Sequence, residues 1–119
     1  MTTAVPEGAL VLAGGGHSHA LLLRRWAMQP RQRPHRPVIL VNRHSTALYS
    51  GMVPGVIAGI YQRQNAAIDL RRLADRAGVA LVITEITGVD RAGQRLELSQ
   101  RPPLRFGLLS LDVGAETRP

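Results

Sequence analysis

Apolar positions along this chain fall into short continuous runs, and their spacing changes after the first of them. Residues 9–13 read Ala-Leu-Val-Leu-Ala, a run typical of a strand that is buried on both faces. After Gly14-Gly15-Gly16, apolar residues recur at helical spacing, which predicts a helix to about Met28. The proline- and arginine-rich residues 29–37 predict an exposed connection, and the apolar residues 38–41 predict a second buried strand. A strand, a helix and a strand in this order indicate a right-handed unit with parallel strands.

The middle of the chain mixes glycine-punctuated and helical segments. Residues 50–61 predict a constrained loop with a short helix around residues 56–59. Residues 69–77 predict another short helix, which Asp69 caps or flanks and Gly78 ends.

The last third of the chain predicts short strands separated by turns. Residues 79–86 are rich in valine and isoleucine and predict a third strand. A turn at residues 90–93 followed by alternation over residues 94–98 predicts an antiparallel hairpin partner. Residues 101–103, Arg-Pro-Pro, predict another turn, and residues 108–113 predict the last strand.

Length and composition indicate one folded domain over residues 1–119. Apolar residues make up 45% of the chain and charged residues 19%, which is typical of a globular protein. No run approaches the roughly 20 apolar residues of a membrane helix, and no secretory leader is evident, so we expect a cytoplasmic protein. The absence of cysteine excludes disulfides, thiolate nucleophiles and cysteine-ligated metals or clusters. Any redox chemistry therefore requires a bound cofactor.

The net charge of +7 raises the question of a nucleic-acid partner. All fifteen basic residues are arginines, however, and they are scattered along the chain rather than grouped in a stripe. Aromatic residues that could stack on bases are also scarce, at 3% of the chain. We therefore expect no nucleic-acid partner.

The glycine-rich turn after the first strand is the strongest candidate site. Glycines between a buried strand and a helix let the backbone approach a pyrophosphate, whose charge would be met by free amides and by the helix dipole. The third glycine of the dinucleotide-binding fingerprint is replaced by His19. An acidic residue that would receive a ribose is also missing, and Asn42 and Arg43 stand at the end of the second strand instead. The alternative to a dinucleotide site is an ordinary tight turn from strand to helix.

Three segments carry a family resemblance that spans nearly the whole chain. They are Val11 to His19 with Gly-Gly-Gly-His-Ser-His, Tyr49 to Gly59 with Tyr-Ser-Gly-Met-x-Pro-Gly, and Leu109 to Gly114. With them the chain resembles the N-terminal FAD-binding portion of the pyridine nucleotide-disulfide oxidoreductase superfamily. Within that superfamily it is most similar to the NADH dehydrogenase-like flavoproteins, especially the branch found fused ahead of selenide, water dikinase. Phe106-Gly107 stands where family members carry tyrosine-aspartate, so one polar anchor of the family is absent.

The resemblance implies an α/β fold, a Rossmann-like and partial FAD-binding domain with a parallel sheet and an antiparallel hairpin or meander insertion. It also implies FAD as the cofactor, with no catalytic residue assigned. The implied cofactor-binding residues are Gly14, Gly15 and Gly16 at the pyrophosphate, His17 and Ser18 at the helix start, Asn42 and Arg43 beside the adenosine ribose, Ser50 and Pro54 along the flavin, Ile86 near the adenine, and Gly114 at the crossing into an NAD(P)H-binding domain.

Family members continue beyond Gly114, whereas this chain ends at Pro119, so the resemblance implies a truncated domain that is inactive by itself. Its parent would pass hydride from NAD(P)H to FAD. Two alternatives stay open: a non-catalytic nucleotide-binding module that serves a selenide, water dikinase, and a structural remnant that binds nothing. A truncated sheet would leave an exposed edge, which predicts self-association into a homo-oligomer. The histidines predict no metal site, because His17 and His19 point to different sides of a helix without an acidic neighbour.

Overall fold

A computed structural model describes residues 8–48 and 67–113 of the chain. The predicted loop over residues 50–61, its short helix, and the candidate residues Ser50, Pro54 and Gly114 lie outside these described residues. In chain order the elements are β1 (Leu10–Ala13), α1 (His17–Met28), a 3₁₀ helix (Pro30–Gln32), β2 (Val38–Asn42), β3 (Thr46–Leu48), β4 (Ala67–Asp69), α2 (Leu70–Ala77), β5 (Ala80–Ile83), β6 (Ile86–Asp90), β7 (Arg95–Leu98), β8 (Arg101–Arg105) and β9 (Leu108–Leu111).

The centre of the fold is a parallel sheet with the strand order β5-β2-β1-β9 in the described part of the chain. The parallel pairing predicted for β1 and β2 is confirmed, with Leu12 opposite Leu40. Both side chains are fully buried, as expected for strands that are covered on both faces. A short antiparallel pair, β3 with β4, lies outside this sheet.

Helices α1 and α2 cover one face of the sheet. Leu23 and Trp26 of α1 pack with Leu70 of α2 and with the sheet in one apolar cluster. The predicted caps of α2 are confirmed: the Asp69 carboxylate accepts a hydrogen bond from the Arg72 amide at 3.1 Å. Its C-terminal end falls at a left-handed Gly78. Of the helices in the described ranges, none is long and apolar enough to cross a membrane.

An antiparallel meander of β6, β7 and β8 covers the opposite face, and the predicted hairpin of β6 with β7 is confirmed. The prediction of one continuous strand over residues 79–86 is wrong, because the chain leaves the parallel sheet between β5 and β6. Thr84 donates its amide to the Asn42 carbonyl and its hydroxyl to the Ser99 carbonyl, at 2.9 and 3.1 Å. These bonds turn the chain from the parallel sheet into the meander.

The prediction of a turn at residues 101–103 is also wrong. Pro102 and Pro103 lie within β8, which pairs with β7 and forms an edge of the meander. An edge strand tolerates proline because the missing amide need not serve a second neighbour. The chain instead reverses at Ser99 and Gln100, and Gln100 has a left-handed φ of 57°.

Candidate functional site

The glycine-rich turn connects β1 to α1 at the carboxyl edge of the parallel sheet. Gly14 has a φ of +99°, a conformation that side chains rarely adopt, and its amide donates to the Val41 carbonyl at 2.7 Å. Gly16 is the N-cap of α1 and provides no side-chain cap. All three glycines are buried, whereas His17 and Ser18 in the first helical turn are exposed. Buried residues thus give way to exposed ones where the helix begins.

Most amides of this turn already donate to acceptors within the protein. Gly15 donates to Oδ1 of Asn42, and Gly16 donates to the Asp112 carbonyl, each at 2.9 Å. His19 donates its amide to Oδ2 of Asp112, also at 2.9 Å. With the Gly14 amide, at least four of the six amides from Gly14 to His19 are engaged. The expectation that the turn offers these amides free to a pyrophosphate is therefore wrong. They already donate to Val41 and Asn42 in β2 and to Asp112 after β9.

The space beside the glycines is filled in the same way. A Cβ atom on Gly15 would lie 2.7 Å from Cδ1 of Leu70, and one on Gly16 would lie 2.7 Å from the Asp112 carbonyl oxygen. Asp112 thus leaves no room for a side chain at Gly16, whereas a side chain at Gly15 would require Leu70 and Asn42 to shift. That Gly14, Gly15 and Gly16 bind a cofactor stays a prediction, which now requires the ligand to approach from the exposed start of α1.

His19, which replaces the third fingerprint glycine, is a buried structural side chain with only 3% of its surface exposed. Its Nδ1 lies 2.7 Å from the Gly14 carbonyl oxygen, and its Nε2 lies 2.8 Å from Oγ of Ser110 in β9. A carbonyl can only accept, so Nδ1 donates to the Gly14 carbonyl, and Nε2 pairs with the Ser110 hydroxyl. His19 thereby joins the turn to β9. Groups of three or more possible metal ligands are absent from the described residues, so His19 belongs to no such cluster there.

Asn42 is the last residue of β2, and both polar atoms of its side chain form hydrogen bonds. In addition to the bond that Oδ1 accepts, Nδ2 donates to the His44 carbonyl at 2.9 Å. An amide oxygen has a second lone pair and the NH₂ group a second hydrogen, so each can still form one more bond. Arg43, the next residue, is exposed. A contact of either residue with a ribose or an adenine stays a prediction.

A cleft of about 240 Å³ opens where β1, β2 and β5 end. It brings together four of the predicted site residues, Gly14, Asn42, Arg43 and Ile86. They meet because the carboxyl ends of parallel strands lie at one edge of a sheet, where α/β proteins bind their ligands. The other lining residues are Val41, His44, Thr84, Glu85 and Val113. Ser18 does not line this cleft but a separate shallow groove along α1.

Sequence reasoning missed two acidic residues at this edge. Asp112 follows β9 and binds the glycine-rich turn, and Glu85 lines the cleft between β5 and β6. Asp112 was missed because residues 108–113 were predicted as one strand, whereas β9 ends at Leu111 and places Asp112 at the same edge as the turn after β1. Glu85 could not have been placed there while residues 79–86 were interpreted as one strand.

Comparison with known proteins finds similarity in structure. Neither a protein family model nor a curated protein sequence matches the chain. Among the solved structures that match are three with TM-scores of 0.63 to 0.65, whose alignments cover 87 to 93% of this chain. They are a sulfide:quinone oxidoreductase from Aquifex aeolicus at 12% identity, a CoADR-RHD from Bacillus anthracis at 17%, and a ferredoxin reductase from Rhodopseudomonas palustris at 19%.

The aligned region is 24, 20 and 27% of those chains, so this chain spans about a quarter of their length. The TM-scores indicate a shared fold, and identities of 12 to 19% extend the likeness no further than the fold. Together with the described sheets the TM-scores confirm the predicted fold class, a Rossmann-like α/β domain with an antiparallel insertion.

Proposed function

We propose that this chain is the FAD-binding portion of an NAD(P)H-dependent flavin oxidoreductase of the NADH dehydrogenase-like type. The observation that carries the proposal is the cleft at the ends of β1, β2 and β5, on a fold shared with an oxidoreductase and a reductase. Bound flavin would accept hydride from a nicotinamide and pass electrons onward, and the protein would bind and orient it. We also propose a cytoplasmic location for the protein.

The size of the cleft indicates which part of FAD it would hold. Its volume of about 240 Å³ is below the roughly 300–1,000 Å³ of pockets that enclose a drug-sized ligand. It suits the adenosine half of a dinucleotide, with half-buried Ile86 beside the base and the free bonding capacity of Asn42 towards the ribose. The guanidinium of Arg43 would stack on the adenine or pair with a phosphate.

The remaining parts of FAD would extend from this cleft. The pyrophosphate would pass the exposed start of α1, with His17 and Ser18 as its neighbours. Ser50 and Pro54 along the flavin, and Gly114 at the crossing into an NAD(P)H-binding domain, belong to the proposal through the family resemblance. The NAD(P)H site and the complete reaction would require chain beyond this one, so this chain alone should show no turnover.

We expect the purified protein to bind FAD, and exchange of Arg43 for glutamate to weaken that binding about tenfold by reversing a charge near the phosphates. The measurement is a flavin absorbance or fluorescence titration at fixed ionic strength. Arg71→Glu is the matched control: it reverses the same charge on exposed α2, away from the cleft, and should leave affinity unchanged. A wild-type protein that takes up no FAD, or equal weakening in both variants, would contradict the proposal.

A non-catalytic nucleotide-binding module of a selenide, water dikinase fusion is the alternative. It rests on the Gly-Gly-Gly-His-Ser-His and Tyr-Ser-Gly-Met-x-Pro-Gly segments alone. Both functions include flavin binding, so activity must separate them. NADH oxidation by a longer chain, measured with a quinone or dye acceptor, would indicate the oxidoreductase, and flavin binding without oxidation would indicate the module.

We further propose that the chain self-associates through β9, which is an edge of the parallel sheet among the described strands. Leu108, Leu111 and Val113 are 54, 63 and 67% exposed there, and an unpaired apolar edge strand is a template for another chain. Sedimentation velocity should show a concentration-dependent dimer, and Leu111→Lys should shift it to monomer by adding charge to the edge. A wild-type protein that stays monomeric at high concentration would contradict this expectation.

A further inference from the structure

We propose that Asp112, which precedes the cleft-lining Val113, selects among ligands that extend from the cleft to α1: its carboxylate at the N-terminus of α1 disfavours those with phosphate charge. The inference rests on the proposed function, since it concerns the same site. Asp112 also stabilises the glycine-rich turn. Its carbonyl accepts a hydrogen bond from the Gly16 amide, and its carboxylate accepts one from the His19 amide.

The electrostatic argument starts from the helix dipole. The N-terminus of a helix carries the equivalent of about half a positive charge, which is the usual attraction for a pyrophosphate. The Asp112 carboxylate accepts from an amide of the first turn of α1 at 2.9 Å and carries a full negative charge. The Asp112 carboxylate therefore offsets the positive end of the α1 dipole, and a pyrophosphate that passes the start of α1 is bound less tightly than it would be without that carboxylate.

The packing of Asp112 against Gly16 also disfavours a phosphate at this position. Gly16 lies so close to Asp112 that a Cβ atom there would fall 2.6 Å from the carboxyl carbon. The carboxylate therefore occupies the space directly beside the glycine where a phosphate oxygen would otherwise sit. A ligand that ends at the ribose avoids this position, because the cleft lies on the side of Asn42 and Ile86.

The inference distinguishes uncharged from charged ligands of the same base. Asp112 should leave the affinity for adenosine unchanged, whereas it should lower the affinities for ADP and FAD. Removing the charge should therefore improve affinity for ADP and FAD and leave affinity for adenosine unchanged. A purely structural role of Asp112 would change all three affinities together or none.

The test compares Asp112→Asn with wild type in calorimetric titrations with adenosine, ADP and FAD. Asparagine keeps a side-chain oxygen that can accept from the His19 amide. We expect ADP and FAD to bind about tenfold more tightly to the variant, adenosine to change less than about twofold, and the gain to shrink as salt is raised. Asp112→Ser, which also keeps an acceptor, should shift affinities in the same direction, and thermal unfolding shows whether either variant is folded.

Asp75→Asn is the matched control, because it removes the same charge from an exposed position on α2 and should change none of the three affinities. Equal affinities of folded wild type and both Asp112 variants for ADP would overturn the role of Asp112 while leaving the proposed function intact. Failure of every protein to bind adenosine, ADP or FAD would overturn the proposed function and this inference together.

Discussion

Exchange of Gly14 for alanine is expected to lower the free energy of unfolding by about 3 kcal/mol, through backbone strain and overpacking together. Gly14 has a φ of +99°, and a Cβ there would lie 2.5 Å from both the Asp112 carbonyl oxygen and Cα of Val113. Both contacts are backbone atoms, so relief requires the end of β9 to move away from the turn. A loss of this size is a large fraction of the roughly 5–15 kcal/mol that stabilises a typical domain.

Urea unfolding followed by circular dichroism measures this loss, with Gly88→Ala as the control. Gly88 lies in β6, and a Cβ there would be 3.5 Å from Oε1 of Glu97, an ordinary contact with a flexible side chain. We expect the control to change the free energy of unfolding by less than about 1 kcal/mol. Similar losses in both variants would show that the turn is not packed against β9 as described.

Exchange of His19 for alanine is expected to cost about 2–4 kcal/mol in the free energy of unfolding, because it removes one buried and one partly buried hydrogen bond and leaves a cavity. The Gly14 carbonyl would lose the hydrogen bond from Nδ1, and the Ser110 hydroxyl would lose its hydrogen bond with Nε2. An unpaired polar group in the interior costs more than the bond itself contributes. Because His19 joins α1 to β9, the loss should be accompanied by faster amide exchange in β9.

His35→Ala is the control for this prediction, since His35 is exposed in the connection between α1 and β2. It should change the free energy of unfolding by no more than about 0.5 kcal/mol. Thermal or urea unfolding of the two variants under identical conditions provides the comparison. Equal stability of the two variants would mean that the contacts of the His19 ring add nothing to the fold.

The packing around the glycine-rich turn limits what its motif implies. Gly14, Gly15 and Gly16 each lie against protein atoms that a side chain would strike. Contacts with Asp112 and Val113 therefore favour glycine at positions 14 and 16, and contacts with Leu70 and Asn42 favour it at position 15, whether or not a ligand binds. The case for a dinucleotide depends instead on the cleft beside Asn42 and Ile86, which a tight turn alone does not require.

The elements predicted with correct type were those encoded by local patterns. Residues 9–13 and 38–41 are apolar throughout, and β1 and β2 are the buried strands that this pattern indicates. Helix α1 ends at Met28 as predicted, and α2 lies between the predicted caps Asp69 and Gly78. Each of these signals resides within a few neighbouring residues, so no long-range contact is needed to interpret it.

Errors arose where a distant partner decides the conformation. Residues 79–86 carry one β-forming composition, but β5 pairs with β2 while β6 pairs with β7, and only those pairings divide the segment. Pro102 and Pro103 indicate a turn locally, yet pairing with β7 places them in an edge strand. Strand pairing depends on which surfaces meet in space, and sequence composition specifies that weakly.

The sequence by itself determined the parallel α/β core and the position of the glycine-rich turn, because apolar runs, helical spacing and glycine placement act over short distances. Only the tertiary structure decided what that turn binds within the protein. Its amides find acceptors 27 residues away at Asn42 and 93 residues away at Asp112, and no local pattern couples such distant positions. The same long-range packing assembled the cleft, since strands from separate parts of the chain end at a common edge only once the sheet has formed.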